Sequence, residues 1–321
     1  ETLSQYSLEI AGTVEMLYKS GLDVGQIGRV IASLNDALIR RLLRLAENEL
    51  GPPPTPYAWL VFGSEGRMEQ LLLTDQDNAL VYLADTAEAR RYFDELTRRV
   101  VDNLIEAGFP PCRGGYMATN WHQPLATWQK QFNGWIHTPD PKALLEVGIF
   151  FDFRAVHGEL SVEPLEQIIT EAKESGIFLA HLTHAAMEFR PPLGFFSRIR
   201  TEDDGQVDLK AGGIAPVVSL ARIYALEAGG RTRSTLERLT AAHQAGKLSQ
   251  AGAETLLETY RFLLKLRLRD QLETMKQGQA PDNKIRLEAL SQVEKRHLKE
   301  AFRAIREMQD ATAHRLAGLI R

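Results

Sequence analysis

The sequence predicts an α+β protein, in which a helical segment precedes a small sheet and a helical bundle follows it. Two short runs of β-forming apolar residues, 57–62 and 79–83, have the length and continuity of buried strands. Before residue 50, and again from about residue 123 onward, apolar residues recur at helical spacing. Strands clustered in one part of the chain and helices in the rest are typical of the α+β class.

The N-terminal segment, residues 1–50, is predicted to form two helices. Its apolar positions follow the helical period, and Gly21 interrupts the pattern where the two helices would meet. The proline-rich residues 51–56 cannot continue a helix, because proline lacks the amide donor and restricts the residue before it. This proline segment therefore marks a boundary.

The next segment, residues 51–160, is predicted to be a catalytic domain that contains both strand candidates. A helix is expected over residues 86–107, and residues 112–119 are a candidate for a further strand. The remaining chain, residues 161–321, is predicted to be a helical domain.

Length and composition limit the class of protein. With 321 residues, of which 44% are hydrophobic, the chain can bury more than one core. The net charge of -4 provides no overall basic field, so a nucleic-acid substrate is disfavoured. The single cysteine, Cys112, excludes an intramolecular disulfide and fits a reducing compartment, for which the cytoplasm is the default.

No membrane partner is expected, since the sequence has no apolar run of about 18 residues and no signal-peptide layout. The chain also begins without methionine, inside a predicted helix. We therefore expect upstream domains in a longer polypeptide.

A glycine-rich turn directly follows the first predicted strand. Gly63 and Gly66 let the backbone turn sharply and bring its amides, with the Ser64 hydroxyl, against a triphosphate. Arg67 adds a cation for the β- and γ-phosphates, where bidentate guanidinium bonding is strong. A glycine-serine pair alone is common in turns, so the prediction depends equally on the aspartates that follow.

Asp75 and Asp77 form the predicted metal site. They are two residues apart, so at the start of a strand both carboxylates would point to the same face, and Thr74 would orient the turn before them. Such oxygen ligands suit Mg²⁺, or Mn²⁺ in its place, with water and substrate phosphate completing the coordination. Nucleotidyl transfer needs this chemistry, because charge builds on the attacking and leaving oxygens during in-line displacement.

Together these motifs resemble the nucleotidyltransferases of the DNA polymerase β superfamily. The pattern Gly-Ser, Gly-Arg-x-Glu and Thr-Asp-x-Asp within residues 63–77 is similar to the branch that contains bacterial PII-uridylyltransferase. It resembles still more closely a nucleotidyltransferase family found downstream of cyclic-nucleotide-binding and CBS domains in bacterial signalling proteins. Blocks at residues 114–120, 151–154 and 208–214 extend the resemblance over almost the whole chain.

The resemblance implies a polymerase β-type mixed sheet, a nucleoside triphosphate substrate and linkage to upstream regulatory domains. It also implies that residues 208–214 open a C-terminal substrate-binding domain. In that block Lys210, Gly212 and Gly213 are candidate nucleotide-binding residues, because an ammonium and open backbone suit a phosphate. A plain loop before a helix near Pro216 is the alternative.

Superfamily members often carry a third carboxylate on a later strand. The block at residues 114–120, where that strand would fall, contains none. Asp152 is the candidate substitute, and a buried ion pair between Asp152 and Arg154 is the alternative. Asp203 and Asp204 are expected in a solvated loop, since adjacent carboxylates in a strand point to opposite faces.

The predicted function is magnesium-dependent transfer of AMP or UMP from a nucleoside triphosphate to a hydroxyl of a protein or small-molecule acceptor, in bacterial signalling. Asp75, Asp77 and Asp152 are the predicted catalytic residues. The alternative is a nucleotide-binding sensor without turnover. Metal-dependent release of pyrophosphate would distinguish the two.

Overall fold

The computed structural model describes residues 3–72, 75–194, 198–202 and 205–317. Thr74, Asp203 and Asp204, which entered the sequence predictions, lie outside these residues.

The chain divides into two compact units. One consists of Glu1–Trp135 with Glu146–Ile168, and the other of Ile136–Leu145 with Ile169–Arg321. The functional domain boundaries proposed from the sequence stay a prediction.

The elements up to residue 171 are helices interleaved with four strands. In chain order they are α1 (Tyr6–Lys19), α2 (Val24–Leu50), β1 (Tyr57–Val61), α3 (Gly63–Gly66), β2 (Asn78–Tyr82), α4 (Ala87–Glu106), β3 (His122–Pro124), α5 (Leu125–His137), α6 (Pro141–Phe150), β4 (Arg154–Gly158) and α7 (Glu163–Glu171). The strand order in the sheet is β3-β2-β1-β4. Strand β1 pairs antiparallel with β2 and β4, whereas β2 and β3 are parallel, which confirms the predicted mixed sheet.

The helix ends follow from local capping. The Asp23 carboxylate accepts the Gly25 amide at 2.9 Å where α2 begins, and Gly51 ends this helix ahead of the prolines. The Thr86 hydroxyl accepts the Ala89 amide at 3.1 Å at the start of α4. The two N-terminal helices and the helix after the second strand are therefore confirmed.

The core of the first unit lies where the sheet packs against α2 and α4. Alternate residues of β1 and β2 enter it, as the two-residue period of a strand requires. Its main members are Ile39, Leu42 and Leu43 of α2, Tyr57, Trp59 and Val61 of β1, Leu80 and Tyr82 of β2, and Phe93, Leu96, Val100 and Leu104 of α4. This packing anchors β1, and α3 follows directly from the end of that strand.

The second unit contains a helical bundle, as predicted. Its elements after residue 171 include α8 (Gly176–Ala186), β5 (Gln206–Asp208), α9 (Ala215–Glu227), α10 (Thr235–Gln244), α11 (Gln250–Lys276), β6 (Lys284–Arg286) and α12 (Gln292–Ala317). Strands β5 and β6 form a small antiparallel pair. Among the described residues, no helix combines the length and the apolar character that a membrane crossing requires.

The structure corrects the positions of the shorter strands. Residues 112–119 form turns, in which Gly115 has a φ of +72°, and the third strand of the sheet is β3 instead. Strand β4 and the β5–β6 pair were not predicted. Strand β4 mixes polar and apolar residues, and it forms by pairing with a strand about a hundred positions earlier, so no local pattern marks it.

Candidate active site

The turn after β1 is a single helical turn that begins at a glycine in the left-handed region. Gly63 has a φ of +53°, a region that favours glycine. The amides of Gly66, Arg67 and Glu69 donate back to carbonyls of residues 62–64 at 2.8–3.1 Å. These bonds occupy the later amides of the turn, so the amides of residues 63–65 are the candidates for contact with a phosphate.

The segment that leads into β2 alternates between anchored and more exposed side chains. Gln76 and Asn78 are buried; the Gln76 side-chain Nε2 donates to the Phe109 carbonyl at 3.0 Å, and the Asn78 carboxamide oxygen accepts the Ala118 backbone amide at 2.8 Å. Asp75 is exposed and Asp77 half-buried. This alternation is what an extended segment produces, and it is compatible with both aspartates sharing one side.

The carboxylate of Asp77 lies beside the glycine turn. A Cβ atom built on Gly63 would stand 3.2 Å from Asp77 Oδ2, so a side chain here would crowd the carboxylate. The Phe62 amide donates to the Asp77 carbonyl at 2.9 Å, which fixes the two segments to each other. The structure therefore brings the predicted phosphate turn and one predicted metal ligand together.

This donor set fits Mg²⁺. Asp75 and Asp77 provide carboxylate oxygens with partial solvent access, which is the donor type that Mg²⁺ prefers. Within the described ranges, no cluster of three or more histidine, cysteine, aspartate or glutamate side chains could hold a metal. Such a sparse site suits an ion that takes its remaining ligands from water and substrate phosphate.

Cys112 is a neighbour of the site that the sequence did not reveal. Its thiol donates a hydrogen bond to Asp77. Burial, together with the Asp77 charge and this bond, raises the pKa of Cys112, which keeps the thiol protonated. A single cysteine carries no spacing signal, so only the folded chain places it here.

Arg67 and Asp152, both predicted site residues, are bonded to each other. Arg67 Nη1 donates to Asp152 Oδ2 at 2.5 Å, and Arg67 Nε donates to Glu69 Oε2 at 2.8 Å. Arg67 is 9% exposed and Asp152 is 0% exposed. This geometry supports a structural role for both residues, and their predicted phosphate-binding and catalytic roles stay predictions.

The ion partner of Arg154 is Asp36 rather than Asp152. The Arg154 guanidinium donates to both oxygens of Asp36 on α2, at 2.6 and 2.9 Å, and to the Glu65 carbonyl at 3.3 Å. The alternative of an Asp152–Arg154 pair is therefore wrong. Helix α2 is tied through this bidentate pair to the backbone of the glycine turn.

Glu65 is a buried carboxyl close to these charges. Burial, reinforced by Asp36 and Asp77 and opposed by Arg154, raises the pKa of Glu65 to about 8. At neutral pH this side chain is therefore mainly protonated. Its carboxyl adds little negative charge beside the proposed binding site for a triphosphate.

Replacing Glu65 by glutamine is expected to make the free energy of unfolding less dependent on pH. A raised pKa means that the folded chain holds the proton more tightly, so the wild-type protein loses stability as pH rises from about 4.5 to about 8. Glu65 contributes a slope of up to ~1.4 kcal/mol per pH unit to the free energy of unfolding, and the glutamine variant lacks this contribution. Urea unfolding across this range, with chelator present and Glu88→Gln as the exposed control, measures the difference. Equal slopes for wild type and Glu65→Gln would contradict it.

Gly66 is required by packing. A Cβ atom on Gly66 would lie 1.9 Å from the Asp152 carbonyl oxygen and 3.0 Å from that of Val61. This close approach accounts for a glycine at position 66, and a nucleotide-binding role for it stays a prediction.

Replacing Gly66 by alanine is expected to lower the free energy of unfolding by about 1–3 kcal/mol, because backbone atoms must move to admit the methyl group. Gly12→Ala is the matched control, since a Cβ on Gly12 of α1 meets nothing within 4 Å. The free energy of unfolding of Gly12→Ala should equal that of wild type or slightly exceed it. Denaturant unfolding compares the two variants, and equal stabilities would rule out the packing requirement.

Lys210, Gly212 and Gly213 lie in the second unit. They belong to a π-helical turn, Lys210–Ile214, that continues directly into α9, so the plain-loop alternative is wrong. A Cβ on Gly212 would lie 2.7 Å from Pro192 Cδ, and one on Gly213 would lie 2.8 Å from Leu263 Cδ1. Close packing explains both glycines, and a nucleotide-binding role for the three residues stays a prediction.

Two family descriptions match this chain. Residues 9–142 match "Putative nucleotidyltransferase DUF294", and residues 176–316 match "Putative nucleotidyltransferase substrate binding domain". The first match contains the glycine turn and both aspartates, and the second contains the π-helical turn.

A curated relative is the bifunctional glutamine synthetase adenylyltransferase/adenylyl-removing enzyme of Mycobacterium marinum. It is 26% identical over 281 residues, which are 84% of this chain and 27% of that enzyme. The chain thus spans about a quarter of the length of this relative. Because the two family matches together span most of the sequence, the chain belongs to the DUF294 family.

Proposed function

We propose that the first unit binds a nucleoside triphosphate with Mg²⁺, or Mn²⁺, and transfers its nucleoside monophosphate to an acceptor hydroxyl. The observation that carries this proposal is the approach of the Asp77 carboxylate to Gly63 at the end of β1. It sets an acidic ligand against the backbone turn that would receive the phosphates. Asp75, exposed two residues earlier, is the second ligand.

Each part of the site has a distinct task in this proposal. Asp75 and Asp77 hold the metal, which when bound supplies positive charge to the reacting phosphate oxygens. The amides of residues 63–65 and the Ser64 hydroxyl orient the phosphates. The Arg67–Asp152 and Arg154–Asp36 pairs hold the turn rigid, so that little reorganisation is needed when substrate binds.

We further propose ATP as the donor and a protein as the acceptor, with a regulatory role in a bacterial cytoplasm. The support is the Mycobacterium marinum relative, which is an adenylyltransferase of glutamine synthetase. UMP transfer and small-molecule acceptors are the alternatives that the site chemistry also admits. The sequence similarity to signalling proteins favours regulation and linkage to further domains.

The test is pyrophosphate release from each of the four ribonucleoside triphosphates, with Mg²⁺, Mn²⁺ or chelator, in the presence of lysate proteins. α-Labelled nucleotide in the same reactions reports whether label moves onto a protein. We expect metal-dependent release with one preferred nucleotide, and labelled protein. The Asp75→Asn/Asp77→Asn double variant should show neither, whereas Asp102→Asn, an exposed change on α4, should behave as wild type.

A nucleotide sensor without turnover is the second candidate. The observation that favours it is Asp152, because the candidate third carboxylate is buried and bonded to Arg67. In the same assay, tight metal-dependent binding of nucleotide without pyrophosphate release would support the sensor and contradict the transferase.

A further inference from the structure

A cleft lies in the first unit, at the end of β1 that is remote from the glycine turn. Tyr57, the first residue of β1, lines this cleft, whereas Gly63 lies two positions after Val61, the last residue of the strand. A five-residue strand spans about 15 Å, so the two places are well separated. The cleft has a volume of about 640 Å³.

Two side chains of the cleft, those of Tyr57 and His157, lie against the carboxylate of Glu47. Tyr57 donates its hydroxyl to Glu47 Oε1 at 2.5 Å, and His157 Nε2 lies 3.4 Å from the same oxygen. The Glu47 and His157 side chains are 22% and 18% exposed, so both are reachable from solvent. Burial, followed by the bond to Glu47, raises the pKa of Tyr57, and the phenol therefore stays protonated as the donor. This bond holds the Glu47 carboxylate in place at the cleft.

The cleft is rich in acceptors and poor in donors. Glu47 and Glu159 contribute two carboxylates, and none of the described residues that line the cleft is lysine or arginine. The wall formed by Pro53, Pro54 and Pro56 has carbonyl oxygens but no backbone N–H groups. A ligand that satisfies such a surface must bring hydrogen-bond donors and positive charge, and its carbon stem can lie along the proline rings.

Backbone geometry makes this wall rigid. Gly158 has a φ of +101°, and a Cβ there would lie 2.0 Å from the Tyr57 carbonyl oxygen, so β4 packs tightly against β1 at the cleft. The Thr55 hydroxyl accepts the Ala84 amide at 3.2 Å, and the Pro56 carbonyl accepts the Leu83 amide at 3.0 Å. The proline segment is thus fixed to the end of β2.

We propose that this cleft binds an organic cation, an ammonium or guanidinium group, through the carboxylates of Glu47 and Glu159. Such a group is carried by a lysine or arginine side chain of a protein partner and by free polyamines. The site lies apart from the proposed nucleotide site and does not depend on nucleotide turnover.

The proposal is tested by titrating the full chain with N-acetyl-arginine amide, spermidine and N-acetyl-citrulline amide, the last being the uncharged analogue of the first. The ring-proton NMR signal of His157, assigned by its loss in His157→Gln, reports occupation of the cleft. We expect saturable shifts with the two cations and none with the citrulline compound. The stronger of the two cations identifies the source, a protein side chain or a free polyamine.

Two variants make the test specific. Glu47→Gln and Glu159→Gln should each weaken binding about tenfold, as expected for loss of a charge-assisted hydrogen bond. Glu159 is exposed, so Glu159→Gln gives a clear result even if loss of the Tyr57 partner impairs folding of Glu47→Gln. Glu49→Gln, an exposed change on the same helix that pairs with Arg99 instead, should leave binding unchanged. Equal binding of the citrulline compound, or binding unaffected by Glu159→Gln, would overturn the proposal.

Discussion

Replacing Asp77 by asparagine is expected to lower the rate of pyrophosphate release about a thousandfold, the equivalent of about 4 kcal/mol in the transition state. Asparagine keeps the size of the side chain and removes the negative charge that would hold the metal beside Gly63. The steady-state rate with saturating Mg²⁺ and the preferred nucleotide measures the effect.

A control for correct folding accompanies this measurement, because Asp77 also accepts a hydrogen bond from the thiol of Cys112. The circular dichroism spectrum and the denaturation midpoint of Asp77→Asn should match those of wild type closely. Cys112→Ala, which removes the thiol and retains the carboxylate, should keep most of the rate. An Asp77→Asn protein that retains the wild-type rate would exclude Asp77 as a metal ligand for the reaction.

Replacing Arg67 by methionine is expected to reduce the free energy of unfolding by about 3–5 kcal/mol. The change leaves Asp152 and Glu69 buried without the guanidinium that bonds them. Methionine retains the unbranched stem, so most of the loss comes from the two lost ion pairs rather than from a cavity. Urea unfolding at neutral pH measures the difference.

This measurement also separates two roles for Arg67. If Arg67 acts chiefly on the β- and γ-phosphates, Arg67→Met should weaken nucleotide binding while the unfolding free energy stays near that of wild type. If the role of Arg67 is structural, Arg67→Met should lower the free energy of unfolding even in the absence of nucleotide. Arg113→Met, which removes an exposed arginine from the same unit, is the matched control and should change the unfolding free energy by less than about 0.5 kcal/mol.

Elements that have strong local patterns could be predicted from the sequence. The continuous apolar runs that became β1 and β2, the helical periods of α1 and α2, and the capped helix α4 all formed close to their predicted positions. Local propensity and burial agree in these segments, so a short window contains enough information. The glycine turn and the Asp-x-Asp motif were found for the same reason, since each lies within a few residues of a predicted strand.

Tertiary structure alone decided which charged residues pair and where the short strands form. Arg67 pairs with Asp152, 85 positions away, and Arg154 pairs with Asp36, 118 positions away. The sequence had suggested a pair between Asp152 and Arg154, which are only two positions apart. Strand β4 depends in the same way on hydrogen bonds to the distant β1. Partner choice at such separations is set by which side chains the packed helices and sheet bring within bonding distance, and by the cost of burying any charge left unpaired. No local pattern contains that information.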